Sequence, residues 1–284
     1  MSPLREVAPM AIKDILVLLD ANSDATGSYA VSLASAFQAH LTAVALVVNP
    51  TAGMAFPNVP ADFLISALEN ARDAARRIPE ALAAKARASG VALETDIVET
   101  AVAGTDQAIG ALARNFDLTI IGQPNPDTPG DRESLIEAAL FGSGRPVLVV
   151  PYIQTPPLLL EKITIAWDGS ATAARAVGDA APFLDRAKEV ELVTVADPSE
   201  TDEEAEAATH RIRRHLARHD VETKFRTLPR AGDVAGTLLS YAFDSGTDLM
   251  VMGGYGHSRF REVVLGGATR GMIEAMTVPV LMSH

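Results

Sequence analysis

The chain has no cysteine among its 284 residues. Disulfides, thiolate metal sites and cysteine nucleophiles are therefore excluded. Aromatic residues are scarce, at 5%, with a single tryptophan. Apolar residues still make up 48%, much of it alanine, so helix-rich layers that touch through small side chains are expected. No apolar run reaches the ~18 residues that a spanning helix needs. The opening MSPLREVAPMAI lacks the apolar stretch of a secretory signal, which makes a cytoplasmic protein without a membrane partner the expectation. Positive charge is in deficit too: 24 Lys+Arg against 36 Asp+Glu leave a net −12. That field opposes wholesale binding to nucleic acid or anionic lipid. The nucleophile-elbow and zinc-protease motifs, G-x-S-x-G and H-E-x-x-H, are missing, and no constellation adequate for catalysis takes their place.

What is present is alternation. Ile12–Leu19, continuously apolar after Lys13-Asp14 and ending in Asp20, has the pattern of a strand buried on both faces. Ala25–Gln38 reads as a helix, Leu41–Val48 as a strand, and Ala61–Ala88 as a long helix stopped by Gly90. Strands over 91–98, 118–121 and 146–150 alternate with helices over 104–114 and 131–141. Then the pattern starts again. Lys162–Trp167 is a strand ending in Asp168, Ser170 can cap a helix reaching Leu184, and 191–195, 221–228, 249–252 and 280–282 are strands. Helices over 201–219, 232–245 and 267–276 lie between them. Asp20 corresponds to Asp168, Ile121-Gly122 to Met252-Gly253, and Pro146 to Pro279. The length suits two units of about 140 residues. We expect an α/β protein with two tandem open parallel five-stranded sheets flanked by helices. The units are 1–151 and 161–284, joined by a proline-containing linker over 152–160.

The stretch from Asp248 to Ser283 is the most informative. A short strand runs into Gly253, Gly254 and Gly256; a second pair, Gly266 and Gly267, opens a helix. Glycines here either make turns only or leave main-chain N–H groups open to an anion at a helix N-terminus. The spacing is neither a P-loop nor the dinucleotide fingerprint. Gly253, Gly256 and Gly266 do match G-x2-G-x9-G, and in this the chain resembles the universal stress protein family, whose ATP-binding members carry that motif followed by Ser or Thr. Gly267 stands where the hydroxyl residue would be. The resemblance covers nearly the whole chain, through the repeated pattern and through Trp167-Asp168-Gly169-Ser170. It implies an adenine nucleotide, ATP or a relative and with it Mg, held in the second half. The implied site is Asp168, Val195, Met252, Gly253, Gly256, Gly266, Gly267 and Ala268. The base would lie between Val195 and the end of the first strand, with phosphates on the amides of 253–256 and 266–268. The family often dimerises through its final strands. The duplication would allow that pairing within one chain, with a homodimer as a further option.

The first half lacks the loop. In its place stands Gly122-Gln-Pro-Asn-Pro-Asp-Thr-Pro129-Gly130, whose prolines cannot donate an N–H and whose Asp127, with Asp131 just after it, repels anions. A phosphate cradle is not expected there. In the second half His257, Arg259 and Arg261 are either phosphate partners or solvated loop residues, and Asp168 either touches the ligand or forms a turn. Thr269 either supplies the hydroxyl that Gly267 lacks or bonds within its own helix. The run from His210 to His219 reads as a solvated helix face, with acids early and bases late. A metal pair, His215 and His219, lacks further indicated ligands. Three functions remain open: a stress-response regulator that binds an adenine nucleotide and an unidentified protein partner; a nucleotide-free scaffold or binder of an apolar small molecule; and, ranked last, a slow ATPase using Asp168.

Overall fold

The computed structural model describes residues 11–20, 22–49, 60–127, 132–196, 202–255 and 267–284. The first half runs β1 (Asp14–Leu19), α1 (Asp24–Phe37), β2 (His40–Asn49), α2 (Ala61–Ala88), β3 (Leu93–Ala101), α3 (Thr105–Ala113), β4 (Leu118–Gly122), α4 (Arg132–Ser143) and β5 (Val147–Val150). The second runs β6 (Lys162–Ala166), α5 (Ala171–Asp179), α6 (Ala181–Leu184), β7 (Glu189–Val195), α7 (Asp202–Ala217), β8 (Thr223–Leu228), α8 (Val234–Ser245), β9 (Leu249–Gly253), α9 (Gly267–Ala275) and β10 (Val280–Ser283). The helix expected over 170–184 breaks at Ala180. Pro182 has no N–H to continue it but fits the first turn of a new helix, α6.

The strand order is β3-β2-β1-β4-β5-β10-β9-β6-β7-β8. All pairings are parallel except β5 with β10, where Val149, Leu148 and Val147 face Val280, Leu281 and Met282. The two expected five-stranded sheets therefore share one hydrogen-bonded seam and form a ten-stranded sheet. This seam removes one edge from each half, and an exposed edge is a liability. The outer strands β3 and β8 keep mixed polar and apolar faces.

Side-chain alternation divides the core into two layers. Ile15, Val17, Ile163 and Ile165 pack under α1, α2, α5, α6 and α7. Leu16, Leu18, Met250 and Met252 pack under α3, α4, α8 and α9. Small residues make the close crossings that the alanine-rich composition suggested. Gly110 of α3 and Gly142 of α4 meet backbone to backbone, and a Cβ on either would lie 2.9 or 2.8 Å from the other's Cα. Gln123 is buried and clamps the halves together. Its amide nitrogen donates to the carbonyls of Ile273 and Glu274 at 3.0 and 3.1 Å, and its oxygen accepts from the Tyr152 amide. Among the described residues no helix is long and apolar enough to cross a membrane.

Candidate functional site

From β6 the chain moves outward to β7 and β8, then returns across β6 to β9. The α5 connection lies on one face and α9 on the other. In open α/β sheets the usual ligand position is the crevice beyond the carboxyl ends of strands where the order reverses, here β6 and β9. Register places the expected residues around it. Ala166 pairs with Met252 on one side and Val193 on the other. Two residues further along, Asp168, Val195 and Gly254 thus stand at about the same height. Val195, half-buried, joins the apolar cluster that contains Met252.

Gly253 ends β9 directly against the first turn of α5. A Cβ there would lie 2.6 Å from the Ala173 nitrogen and 2.6 Å from Thr172 Oγ1. Only glycine lets strand and helix meet this closely. The α5 N-terminus is itself well capped: Ser170 Oγ accepts from the Ala173 amide at 3.1 Å. Asp168 is exposed, and its carboxylate accepts from the Ser170 amide at 2.9 Å, so it does form a turn. Among the described residues it has no basic partner.

Gly267 and Ala268 are the first residues of α9. A Cβ on Gly267 would meet nothing within 4 Å. The amides between β9 and α9 are only partly open. Gly254 N–H donates to the Ser283 carbonyl at 2.9 Å. Tyr255, at φ 51°, donates its N–H to Thr269 Oγ1 at 3.0 Å. Two amides in the expected 253–256 cradle are thus held by the chain, and the Thr269 hydroxyl is occupied by the Tyr255 N–H rather than turned to a phosphate. Gly256 and Gly266, with His257, Arg259 and Arg261, lie outside the described residues.

The same crevice in the first half is filled. Arg132, at the start of α4, is buried and forks onto Asp20, Nε to Oδ2 at 2.7 Å and Nη2 to Oδ1 at 2.6 Å. Its Nη1 donates to the Gln123 carbonyl at 2.8 Å. Burial pushes the Asp20 carboxyl up. The Arg132 hydrogen bonds and charge, helped by the Asn22 amide and Ser23 hydroxyl, outweigh this and hold it below its ordinary value. Gly122 repeats the Gly253 contact: a Cβ there would lie 2.7 Å from Thr26 Oγ1 and also 2.9 Å from Arg132 Nη1. Sequence reasoning passed over Arg132. The signal was a base in the first helical turn, where the helix dipole disfavours it unless a carboxylate holds it.

Elsewhere, His215 and His219 stack edge to face at 4.9 Å. Among the described residues no group of three or more His, Cys, Asp or Glu side chains is placed to hold a metal ion.

The universal stress protein family model matches residues 160–284. A universal stress protein from Synechocystis is 27% identical over 175 residues, 60% of this chain; the chain spans 58% of that relative's length. The crystal structure of a universal stress protein from Archaeoglobus fulgidus superposes with a TM-score of 0.70 at 16% identity, covering 95% of this chain and 96% of that one. A Pseudomonas aeruginosa structure described as functionally unknown gives 0.61 at 17% identity, covering 96% and 92%. At these identities the structures speak for the fold, and they extend it across both halves.

Proposed function

The second half of this chain belongs to the universal stress protein family, and from that premise we propose that it binds an adenine nucleotide of the ATP class in the crevice between β6 and β9. Binding rather than turnover is the event, and the protein acts as a cytoplasmic stress-response regulator. The carrying observation is the contrast between crevices. One is closed by Arg132 on Asp20; the other is bordered by Gly253, Gly267, Ala268 and an Asp168 that no described base neutralises. Gly253 lets β9 end close against α5, the space beside Gly267 is open within 4 Å, and the first amides of α9 supply a positive helix end there. In this reading Val195 and Met252 flank the base and Asp168 faces the sugar side, while Gly253 sets the depth of the crevice. Gly256 and Gly266 complete the motif. Mg would accompany the phosphates as their counter-ion. Two tandem units in one chain supply the pairing that separate copies would otherwise make.

The bonded amides of Gly254 and Tyr255 favour a second reading, a scaffold that works through its surfaces without nucleotide. Denaturing the purified chain and identifying what is released by mass spectrometry separates the two. Recovered ATP, ADP or AMP supports the first. A chain that releases none, and does not bind added ATP at millimolar concentration, is a scaffold.

A further inference from the structure

Trp167 is the residue before Asp168, and its indole belongs to the other side of the sheet. It packs with Ile163 and Ile165, whereas Ala166, Val195 and Met252 join the opposite core. On its own side it lines a cleft of about 330 Å³ with Gly169 and with Arg211, Ile212 and His215 of α7. That volume suits a small organic molecule.

Three features of this cleft are unexplained by packing alone. Trp167 Nε1 is buried and has no hydrogen-bond acceptor among the described residues. A tryptophan serving only as core normally satisfies its N–H. Arg211 is exposed and forms no ion pair among the described residues, although the chain carries a net charge of −12. His215 stands one helical turn from Arg211, on the same face, so two side chains capable of positive charge border one aromatic floor. Position in α7 explains a basic stretch in general terms but not its place in a cleft lined by an indole.

We propose that this cleft binds a small aromatic carboxylate. Its ring lies on the Trp167 indole and Ile212, and its carboxylate takes the Arg211 guanidinium, with His215 at the rim. The planar fork of arginine matches a carboxylate, and a single guanidinium balances one negative charge. A doubly charged phosphate would need a further cation. Aromatic rings gain from offset or edge contact with an indole. The site is separate from the β6–β9 crevice, so it does not rest on the nucleotide reading.

Trp167 is the one tryptophan in the chain, and its emission reports on this cleft directly. The intact protein is titrated with 3-phenylpropionate and, in parallel, with uncharged 3-phenylpropanol. The acid should give a saturable change in Trp167 emission at millimolar concentration or below. Arg211→Gln, on an exposed helix face, should weaken the acid by about tenfold or more, and the alcohol should bind wild type no better than the acid binds that variant. Saturating ATP should leave the acid's affinity unchanged. Equal affinity for acid and alcohol, an indifferent Arg211→Gln, displacement by ATP, or no saturable change each overturns the proposal. A chain that binds the acid but ignores ATP would sink the nucleotide reading alone.

Discussion

Asp20 and Asp168 each stand just past the first strand of their half, each beside a glycine that ends the fourth strand against the first helix. Beyond that point the halves differ. Asp20 is locked by the buried Arg132, and Asp168 makes only its own turn. A scaffold that needs a crevice for folding would close both. Here one copy places a buried cation on its strand-end aspartate, and the other has no described base on Asp168 and open space beside Gly267. The same division runs through the seam. Gln123 follows β4 and is a buried clamp onto α9, while its counterpart Gly254 carries no side chain and lies against Leu140.

The largest test of this contrast is Asp20→Ala, which strands the buried Arg132 guanidinium. We expect a loss of about 3 kcal/mol in urea unfolding, toward the low end for a broken buried pair because Asp20 is itself half-exposed. Asp168→Ala should cost about 1 kcal/mol or less, since one turn hydrogen bond is lost at an exposed site. Equal costs would mean that the halves are not differently built. Next comes Gly253→Ala, whose Cβ meets the Ala173 backbone; overpacking there should cost about 2 kcal/mol and weaken nucleotide binding. Gly122→Ala meets Thr26 Oγ1 and the locked Arg132 guanidinium, so it should cost a similar amount by the same assay. Acid sharpens the comparison further. Arg132 holds the Asp20 carboxyl below its ordinary 3.8. The stabilisation is complete above that unfolded value and fades as pH falls through the lower folded one. Unfolding curves taken from neutral pH downward should show a smaller acid-side loss in Asp20→Asn than in the parent. Smallest is Gly267→Ser, which places a hydroxyl in open space at the start of α9 and should tighten ATP by about threefold to tenfold. Calorimetry of that variant reads it directly.

Periodicity made most of the fold legible. Runs such as 15–19 and Ile120-Ile121 are apolar on both faces because their strands are covered on both, and the repeat of Asp20 in Asp168 marked the two similar halves. The break at Ala180 was less visible, since Pro182 is tolerated in a first helical turn and its neighbours keep helical spacing. Of the candidate site, Asp168, Val195, Met252 and Gly253 stand at neighbouring strand ends by register, and Gly267 and Ala268 open α9. The bonding of the Gly254 and Tyr255 amides could not be read, because their acceptors, Ser283 and Thr269, come from β10 and α9. The Arg132 plug was hidden for the same reason: its partner, Asp20, lies 112 residues away, and no local pattern links the two.

The central claim is tested most directly by the stoichiometry of ATP binding in a calorimetric titration of the intact chain. The account predicts one site per chain, with micromolar affinity, and no second site when Asp20 and Arg132 are intact. Two equivalent sites, or no heat of binding at millimolar ATP, would contradict it.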